Sequence, residues 1–295
     1  MATSRVPPWY KRSRMRLENR VVFITGASRG IGRACALGCA AEGARVIVAA
    51  RTDVAGNPRA PGSIHDVAAE IAARGGQALA LRLDVQDDDA CEAAIAAAIE
   101  RFGRVDALIN NAGSHWWADI VETSVKKFDV ILGVNARAAF VLAHAVLPHM
   151  IAQRWGHIIM MSPPVEGDGF GRHGVHAVAK LGMTMIARAI ADEVLAHNVT
   201  AHALWPATAI ETFATKNFGL GGPEDWRKPE IVADAVVALL AREPSARPGK
   251  AWIDEAVLRE EGLTDFTKYQ CSPGHEPPHF PFAALSKTTS TRGGV

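Results

Sequence analysis

Three glycines, Gly26, Gly30 and Gly32, follow the strand-like run Val21–Thr25 and lead into an alanine-rich helical pattern. Lacking Cβ atoms, they let the backbone turn tightly and bring a helix N-terminus against a pyrophosphate. A glycine turn alone is a weak signal; the order strand, turn, helix makes a nucleotide the better reading than a plain connection. An acid at the end of the next strand would bond a free ribose 2′-hydroxyl and repel a 2′-phosphate. The chain instead has Ala50-Arg51-Thr52 there, and Arg29 stands inside the glycine turn. Two guanidinium groups suit an extra phosphate, so the residues point to NADP(H) rather than NAD(H) as the cofactor. Either arginine taken singly reads equally well as surface charge.

The elements that must position these residues alternate along the chain. Runs 21–25, 45–50, 78–83, 107–110, 157–161, 200–204 and 251–253 read as strands, and 31–43, 64–74, 87–102, 124–153, 174–197 and 230–241 as helices. Strands apolar on both faces and separated by helices imply a parallel sheet covered on both sides. The expected fold class is therefore α/β, a Rossmann-like doubly wound parallel sheet of about seven strands. Residues 18–255 form the expected dinucleotide-binding domain, 1–17 a basic N-terminal arm, and 256–295 a C-terminal extension whose Pro/Ser/Thr/Gly-rich end reads as partly disordered. Residues 53–63 read as a Gly/Pro-rich loop, and 206–229 as a mobile flap over a site.

Composition narrows the class. The 295 residues carry 32 Lys+Arg against 31 Asp+Glu, a net charge of +1, so no broad footprint for nucleic acid exists. The one basic cluster, Lys11 to Arg16, reads as a solvated arm rather than a nucleic-acid or membrane contact. No apolar stretch reads as long enough to span a bilayer, and the arm does not read as a signal peptide, which makes a cytoplasmic location the expectation. Cys35, Cys39, Cys91 and Cys271 are too scattered for a disulfide scaffold, and Cys35 and Cys39 read as helix packing. No metal site is expected.

Three motifs, Thr25-Gly-Ala-Ser-Arg-Gly-Ile-Gly32, Leu83-Asp84-Val85 and Asn110-Asn-Ala-Gly113, together resemble the short-chain dehydrogenase/reductase family over residues 18–255. The resemblance implies that Asp84 and Val85 lie at the adenine and that Asn111, Ala112 and Gly113 run along the cofactor. It adds Ser28, Ile31, Thr52, Lys180, Pro206 and Ile210 to the cofactor-binding set. Asn135, in Gly133-Val-Asn-Ala, matches the helix asparagine that holds a proton-relay water in that family. Ser162-Pro-Pro, Ala203–Ile210, Ile253–Gly262 and Pro273-Gly-His275 resemble its hydroxysteroid-dehydrogenase-like branch. Animal members of that branch often add a sterol-carrier domain and a peroxisomal signal; neither is expected from this sequence.

The family pairs a tyrosine with a lysine four residues later, the lysine lowering the phenol's pKa so that it exchanges a proton with the substrate oxygen. Lys180 fits the lysine, but His176 stands at the tyrosine position, and the chain has only Tyr10 and Tyr269. His176 reads either as a proton donor, directly or through water, or as a space-filler. The family's serine position falls on Pro163, one residue after Ser162. Glu166, Asp168 and His173 read as solvated loop. Trp116, Trp117, Trp205, Phe213, Phe218 and Trp226 suggest an apolar pocket for a bulky hydrophobic substrate, though core packing explains any one of them. The resulting expectation is an NADP(H)-dependent interconversion of a carbonyl and an alcohol. The alternatives are a cofactor-binding pseudoenzyme acting as a partner or sensor, and elimination or double-bond reduction on the same scaffold. In relatives the helices matching 124–153 and 174–197 form a four-helix contact, implying a homodimer or homotetramer.

Overall fold

The computed structural model describes residues 15–54, 61–164, 171–246 and 249–280. Its strands are β1 Val21–Thr25, β2 Arg45–Ala50, β3 Gln77–Arg82, β4 Ala107–Asn110, β5 Gly156–Met161, β6 Val199–Trp205, β7 Ala209–Ile210, β8 Trp226–Arg227 and β9 Ala251–Ile253. Its α-helices are α1 Gly30–Ala41, α2 Ile64–Ala73, α3 Asp88–Phe102, α4 Val125–Leu132, α5 Ala138–Gln153, α6 Gly174–Val194, α7 Phe213–Asn217, α8 Glu230–Leu240 and α9 Asp254–Glu260.

Seven strands form one parallel sheet in the order β3-β2-β1-β4-β5-β6-β9. Strand side chains alternate between its two faces. Val22 and Ile24 of β1 join Cys35 and Cys39 of α1 and Val236 of α8 in one core. Val21 and Phe23 join Ile95 of α3, Leu142 of α5 and Met183 of α6 in the other. Strands buried on both faces need helices on both, and the expected doubly wound fold is what the chain adopts. Successive strands are added outward in one direction from β1 to β3 and in the other from β4 onward, and the crevice above the carboxyl ends of β1 and β4 is where such sheets receive ligands.

Four sequence expectations change. The helix read as 124–153 contains a π turn, Gly133–Arg137, between α4 and α5. A wider turn of this kind inserts a residue and re-aims the side chains beside it, here Asn135. The segment Val125–Gln153 is also 29 residues long and contains an 18-residue stretch with a mean hydropathy of 1.8, long and apolar enough by length and composition to cross a membrane. Much of it is buried within the chain, with Leu142, Val146 and Met150 in the core, which accounts for its apolar character. The stretch 206–229, read as a flap without regular elements of its own, contains the parallel pair β7–β8 and helix α7. Finally, a boundary at 255 cuts through α9, and Val257, Leu258, Phe266 and Tyr269 enter the first core.

Arg227 of β8 fastens the stretch that follows α9. Its side chain is fully buried, Nε donating to Glu255 Oε1 at 2.9 Å and Nη1 to the Phe266 carbonyl at 3.3 Å, with a further ion pair to Glu276. Residues 11–14, 55–60 and 281–295, and with them most of the basic cluster, part of the Gly/Pro loop and the chain's end, lie outside the described residues.

Candidate active site

The glycine turn is built as its chemistry requires. Gly26 and Gly30 have φ of +63° and +53°, the left-handed region that side chains disfavour. A Cβ on Gly32 would collide with the Gly26 carbonyl and Asn111 Nδ2. Asn111 stitches the end of β4 to this turn: its Nδ2 donates to the Thr25 carbonyl at 2.9 Å and the Gly26 carbonyl at 3.2 Å. Thr25 Oγ1 accepts from the backbone N–H groups of Asn111 and Ala112 at 3.0 and 2.9 Å. Asn111 therefore shapes the cradle, its amide N–H groups spent on backbone. Ser28 is buried in the turn, and Ile31 packs partly against the first core.

Arg29 and Arg51 lie near enough beside the turn for the charge of one to act on the other. Arg29 Nη2 donates to Thr52 Oγ1 at 2.9 Å, while its Nε is buried without a partner. Burial, and then the nearby Arg51 charge, lower the Arg29 pKa. Two like charges at a helix N-terminus with an unpaired N–H fit a phosphate, and the glycine cradle fits the pyrophosphate beside it. Arg51 Nη1 also lies 4.0 Å from Asp84 Oδ2, and Val85 is buried next to it. At the other end of the crevice Pro206 is half-buried after β6, Ile210 is buried in the first core, and Ala207 N donates to Asp254 Oδ1 at 2.9 Å.

Lys180, Asn135 and Gly113 converge. A Cβ on Gly113 would lie 2.9 Å from Asn135 Oδ1 and 3.4 Å from Lys180 Nζ, so only glycine admits both. Asn135 Nδ2 donates to the Ser114 and Ile131 carbonyls at 3.0 and 2.8 Å, leaving Oδ1 buried and unpartnered. Lys180 is 6% exposed, donates to the Met161 carbonyl at 2.8 Å, and is pushed by burial down to about 8. A buried acceptor without a partner beside a cation of that pKa is an arrangement for holding and moving a proton.

His176, one turn before Lys180 on α6, is brought to the same place. Burial, followed by the charges of Lys180 and His115, pushes its pKa down to about 3, against a bond with the Ser114 backbone. It is therefore neutral at neutral pH, and its Nδ1 is buried with no partner. Ser162, a candidate for holding the substrate oxygen, is turned elsewhere. It is 2% exposed, its hydroxyl donates to the Lys180 carbonyl at 2.9 Å and accepts from Thr184 Oγ1 at 3.2 Å. A one-residue shift on an extended chain reverses the side chain, and this one faces α6. Pro163 has no hydroxyl to take its place, and Glu166 and Asp168 lie outside the described residues.

The aromatic candidates divide. Trp205 is core, donating to Thr184 Oγ1 at 3.3 Å; Trp226 is buried and bonds the Leu220 carbonyl; Trp116 bonds Thr123 and carries Lys127 on its ring. Trp117 and Phe218 stack near His176, while Phe213 is exposed. Two residues escaped the sequence reading. His115 stacks on His176, and the methyl of Thr212 comes within 3.5 Å of where a Cβ on Gly30 would be, closing the flap over the turn. Thr212 caps α7, a signal legible in Thr212-Phe-Ala-Thr215, but its nearness to Gly30 is not. Among the described residues, Glu255, Glu276 and His279 bring three ligand-type atoms together, but the Arg227 guanidinium already pairs with both carboxylates.

Comparison with known proteins agrees with this geometry. The family model described as short chain dehydrogenase matches residues 20–220. The chain is 40% identical over 265 residues to hydroxysteroid dehydrogenase-like protein 2 of Danio rerio, covering 88% of this chain and 63% of that protein. It is 38% identical over 285 residues to the Homo sapiens protein of the same name, covering 94% and 68%. The chain thus spans about two thirds of the length of these relatives. Among solved structures, a putative dehydrogenase from Xanthomonas campestris superposes with a TM-score of 0.84 at 40% identity, covering 90% of this chain and 98% of that one. A metagenomic short-chain oxidoreductase in complex with NADP gives 0.67 at 30% identity, covering 81% and 97%. With the sheet order, the glycine cradle and the lysine–asparagine pair, these matches establish that the chain belongs to the short-chain dehydrogenase/reductase family, in its hydroxysteroid-dehydrogenase-like branch.

Proposed function

We propose that the chain is an NADP(H)-dependent oxidoreductase that interconverts a carbonyl and an alcohol on a bulky hydrophobic substrate. The observation that carries this reading is the convergence of Lys180 Nζ and the unpartnered Asn135 Oδ1 on Gly113, beside the ring of His176. Gly26, Gly30 and Gly32 would hold the pyrophosphate, and Arg29, Arg51 and Thr52 the 2′-phosphate; when bound, the nicotinamide supplies or accepts the hydride. An NADP complex of a family member supports the choice of nucleotide.

The proton falls to Lys180. Its ammonium has three N–H bonds; one points at the Met161 carbonyl and another at Met183 Sδ. The third is left for a substrate oxygen, and a pKa of about 8 makes that proton exchangeable near neutral pH. Neutral His176, its other ring nitrogen held by the Ser114 backbone, offers Nδ1 as an acceptor to a substrate hydroxyl. In this reading the histidine orients the substrate and the lysine transfers the proton.

The position of Ser162 favours a second reading, a nucleotide-binding protein without turnover, because its hydroxyl is spent on the Lys180 carbonyl and on Thr184. Double-bond reduction, which needs no phenol, is the third. Titration with both nucleotides, followed by NADPH oxidation against a panel of carbonyls, separates them. NADPH should bind more tightly than NADH, and Arg51→Asp should reverse the order by removing a charge-assisted contact of about 1.5–3 kcal/mol. Equal affinities would remove the phosphate preference, and tight NADPH binding without turnover on any carbonyl would support the second reading.

A further inference from the structure

After α9 the chain returns to the crevice end of the sheet. Residues 269–271 run antiparallel along β8: the Lys228 N–H donates to the Tyr269 carbonyl at 2.7 Å, the Cys271 N–H to the Trp226 carbonyl at 3.4 Å, and Arg227 pairs with Gln270. A turn follows, in which the Gly274 N–H donates to Gln270 Oε1 at 3.1 Å. The chain then doubles back. Glu276 pairs with Arg227 and accepts from Gln270 Nε2 at 3.2 Å, Pro277 is buried, and His279 Nε2 lies 3.2 Å from Glu255 Oε1. The Phe280 N–H donates to the Ala207 carbonyl at 2.9 Å.

That last bond reaches the cofactor side of the crevice. Residues 206–208 join the end of β6 to β7 and belong to neither sheet ladder, yet Ala207 is buried. Buried peptide groups need partners, and both of Ala207's come from beyond β9: its N–H donates to Asp254 Oδ1 at 2.9 Å and its carbonyl accepts from Phe280. The hold of the tail can be loosened without opening the core. Glu276 is 63% exposed in its side chain, whereas Arg227 and Glu255 are 0% and 4% exposed and remain paired to each other without it.

Resting on the NADP(H) reading above, we propose that residues 270–280 are a clasp. It fixes Ala207, and with it the segment 206–210, in the conformation that receives the nicotinamide half of the cofactor. Glu276 and Phe280 are positioning residues: they act through the backbone of Ala207 and touch no ligand. The glycine cradle with Arg29 and Arg51 serves the other half and is built from β1, α1 and β2, which the clasp does not contact. A segment held in place beforehand loses less freedom when a ligand arrives, so the clasp favours binding of the half it faces and not of the other.

The test is calorimetric titration of NADP+ and of adenosine 2′,5′-bisphosphate, which keeps the adenine and the 2′-phosphate and lacks the nicotinamide. Both are titrated into the wild type, Glu276→Ala and Phe280→Pro, the last of which removes the N–H that bonds Ala207. Each variant should bind NADP+ about five- to tenfold more weakly and the bisphosphate within about twofold of the wild type. Amide hydrogen exchange of the free proteins should quicken in the segment around Ala207 and stay unchanged in β1. Wild-type NADP+ affinity in both variants overturns the clasp, as does unchanged exchange around Ala207. An equal loss for both ligands also overturns it, because it marks a general loosening of the fold. A wild type that binds neither ligand would overturn the nucleotide reading and the clasp together, whereas bisphosphate binding with unaltered variants overturns the clasp alone.

Discussion

At the residue scale, this site departs from the arrangement its family implies at the serine position, which falls on Pro163, and above all in the exchange of tyrosine for His176. The exchange was plain in the sequence, but its consequence was not, because a histidine's charge depends on burial and neighbours that only folding supplies. With His176 pushed down to about 3 and Lys180 to about 8, ketone reduction should lose kcat/KM as pH rises through about 8, where the lysine gives up its proton. No inflection should appear near 6.5, the ordinary imidazole value; one there, lost in His176→Ala, would return the proton to histidine. His176→Ala should raise the KM for the alcohol about five- to tenfold through loss of one hydrogen bond, and His176→Tyr should raise turnover on generic ketones. Asp254 carries a second residue-scale prediction. Its carboxyl, raised to about 7 by burial against two backbone donors, has one oxygen without a partner. A raised folded-state pKa gives stability that is present below about 3.9 and is lost as pH climbs through 7. Measured by denaturant unfolding, Asp254→Asn should therefore gain on the wild type by about 2 kcal/mol between pH 5 and pH 8; a gap that stays constant would refute the shift.

At the scale of elements, periodicity located almost everything that is regular. The six longer strands were legible to within a residue or two because runs such as Val21-Val-Phe-Ile-Thr25 are apolar on both faces. The π turn was not legible, since Gly133-Val-Asn-Ala-Arg137 keeps the apolar content of the helices on either side. Nor was the fastening of β8, because Arg227 and Glu255 are 28 residues apart and each alone reads as surface charge. Breaking a buried pair leaves an uncompensated charge, a cost of about 3–5 kcal/mol. Arg227→Met should accordingly lower the melting temperature by about 10 °C. Arg227→Met with Glu255→Leu should recover part of that loss in the same melting experiment; a double variant no more stable than the single one would show that the buried charge is not the cause.

For the whole molecule, the long apolar helices pose the question of assembly. Val178, Leu181 and Met185 recur at three- and four-residue spacing on one exposed face of α6, and Phe140 is exposed on α5. Gly182 and Ala136 meet closely between them, a Cβ on the glycine reaching within 3.2 Å of the alanine. Side chains of this size seldom cluster in water on a monomer, and the face is proposed as the contact of a homodimer or homotetramer. Light scattering at micromolar concentration should give a multiple of 31.5 kDa, and Leu181→Glu should reduce it. A monomeric wild type would refute the assembly.

What the sequence by itself determined is whatever is written locally. The glycine turn, the paired arginines, the alternation of strand and helix, and the lysine without its tyrosine are properties of a few adjacent residues, and backbone sterics and periodicity read them directly. What tertiary structure alone decided is whatever depends on distant segments meeting. It set Asn111 to brace the cradle rather than face outward, and turned the Ser162 hydroxyl into α6. It also stacked His115 on His176, and gave the buried lysine its pKa of about 8. Burial and electrostatics are fields of the assembled molecule, so the same residues carry no such values until the sheet, the helices and the flap have closed around them.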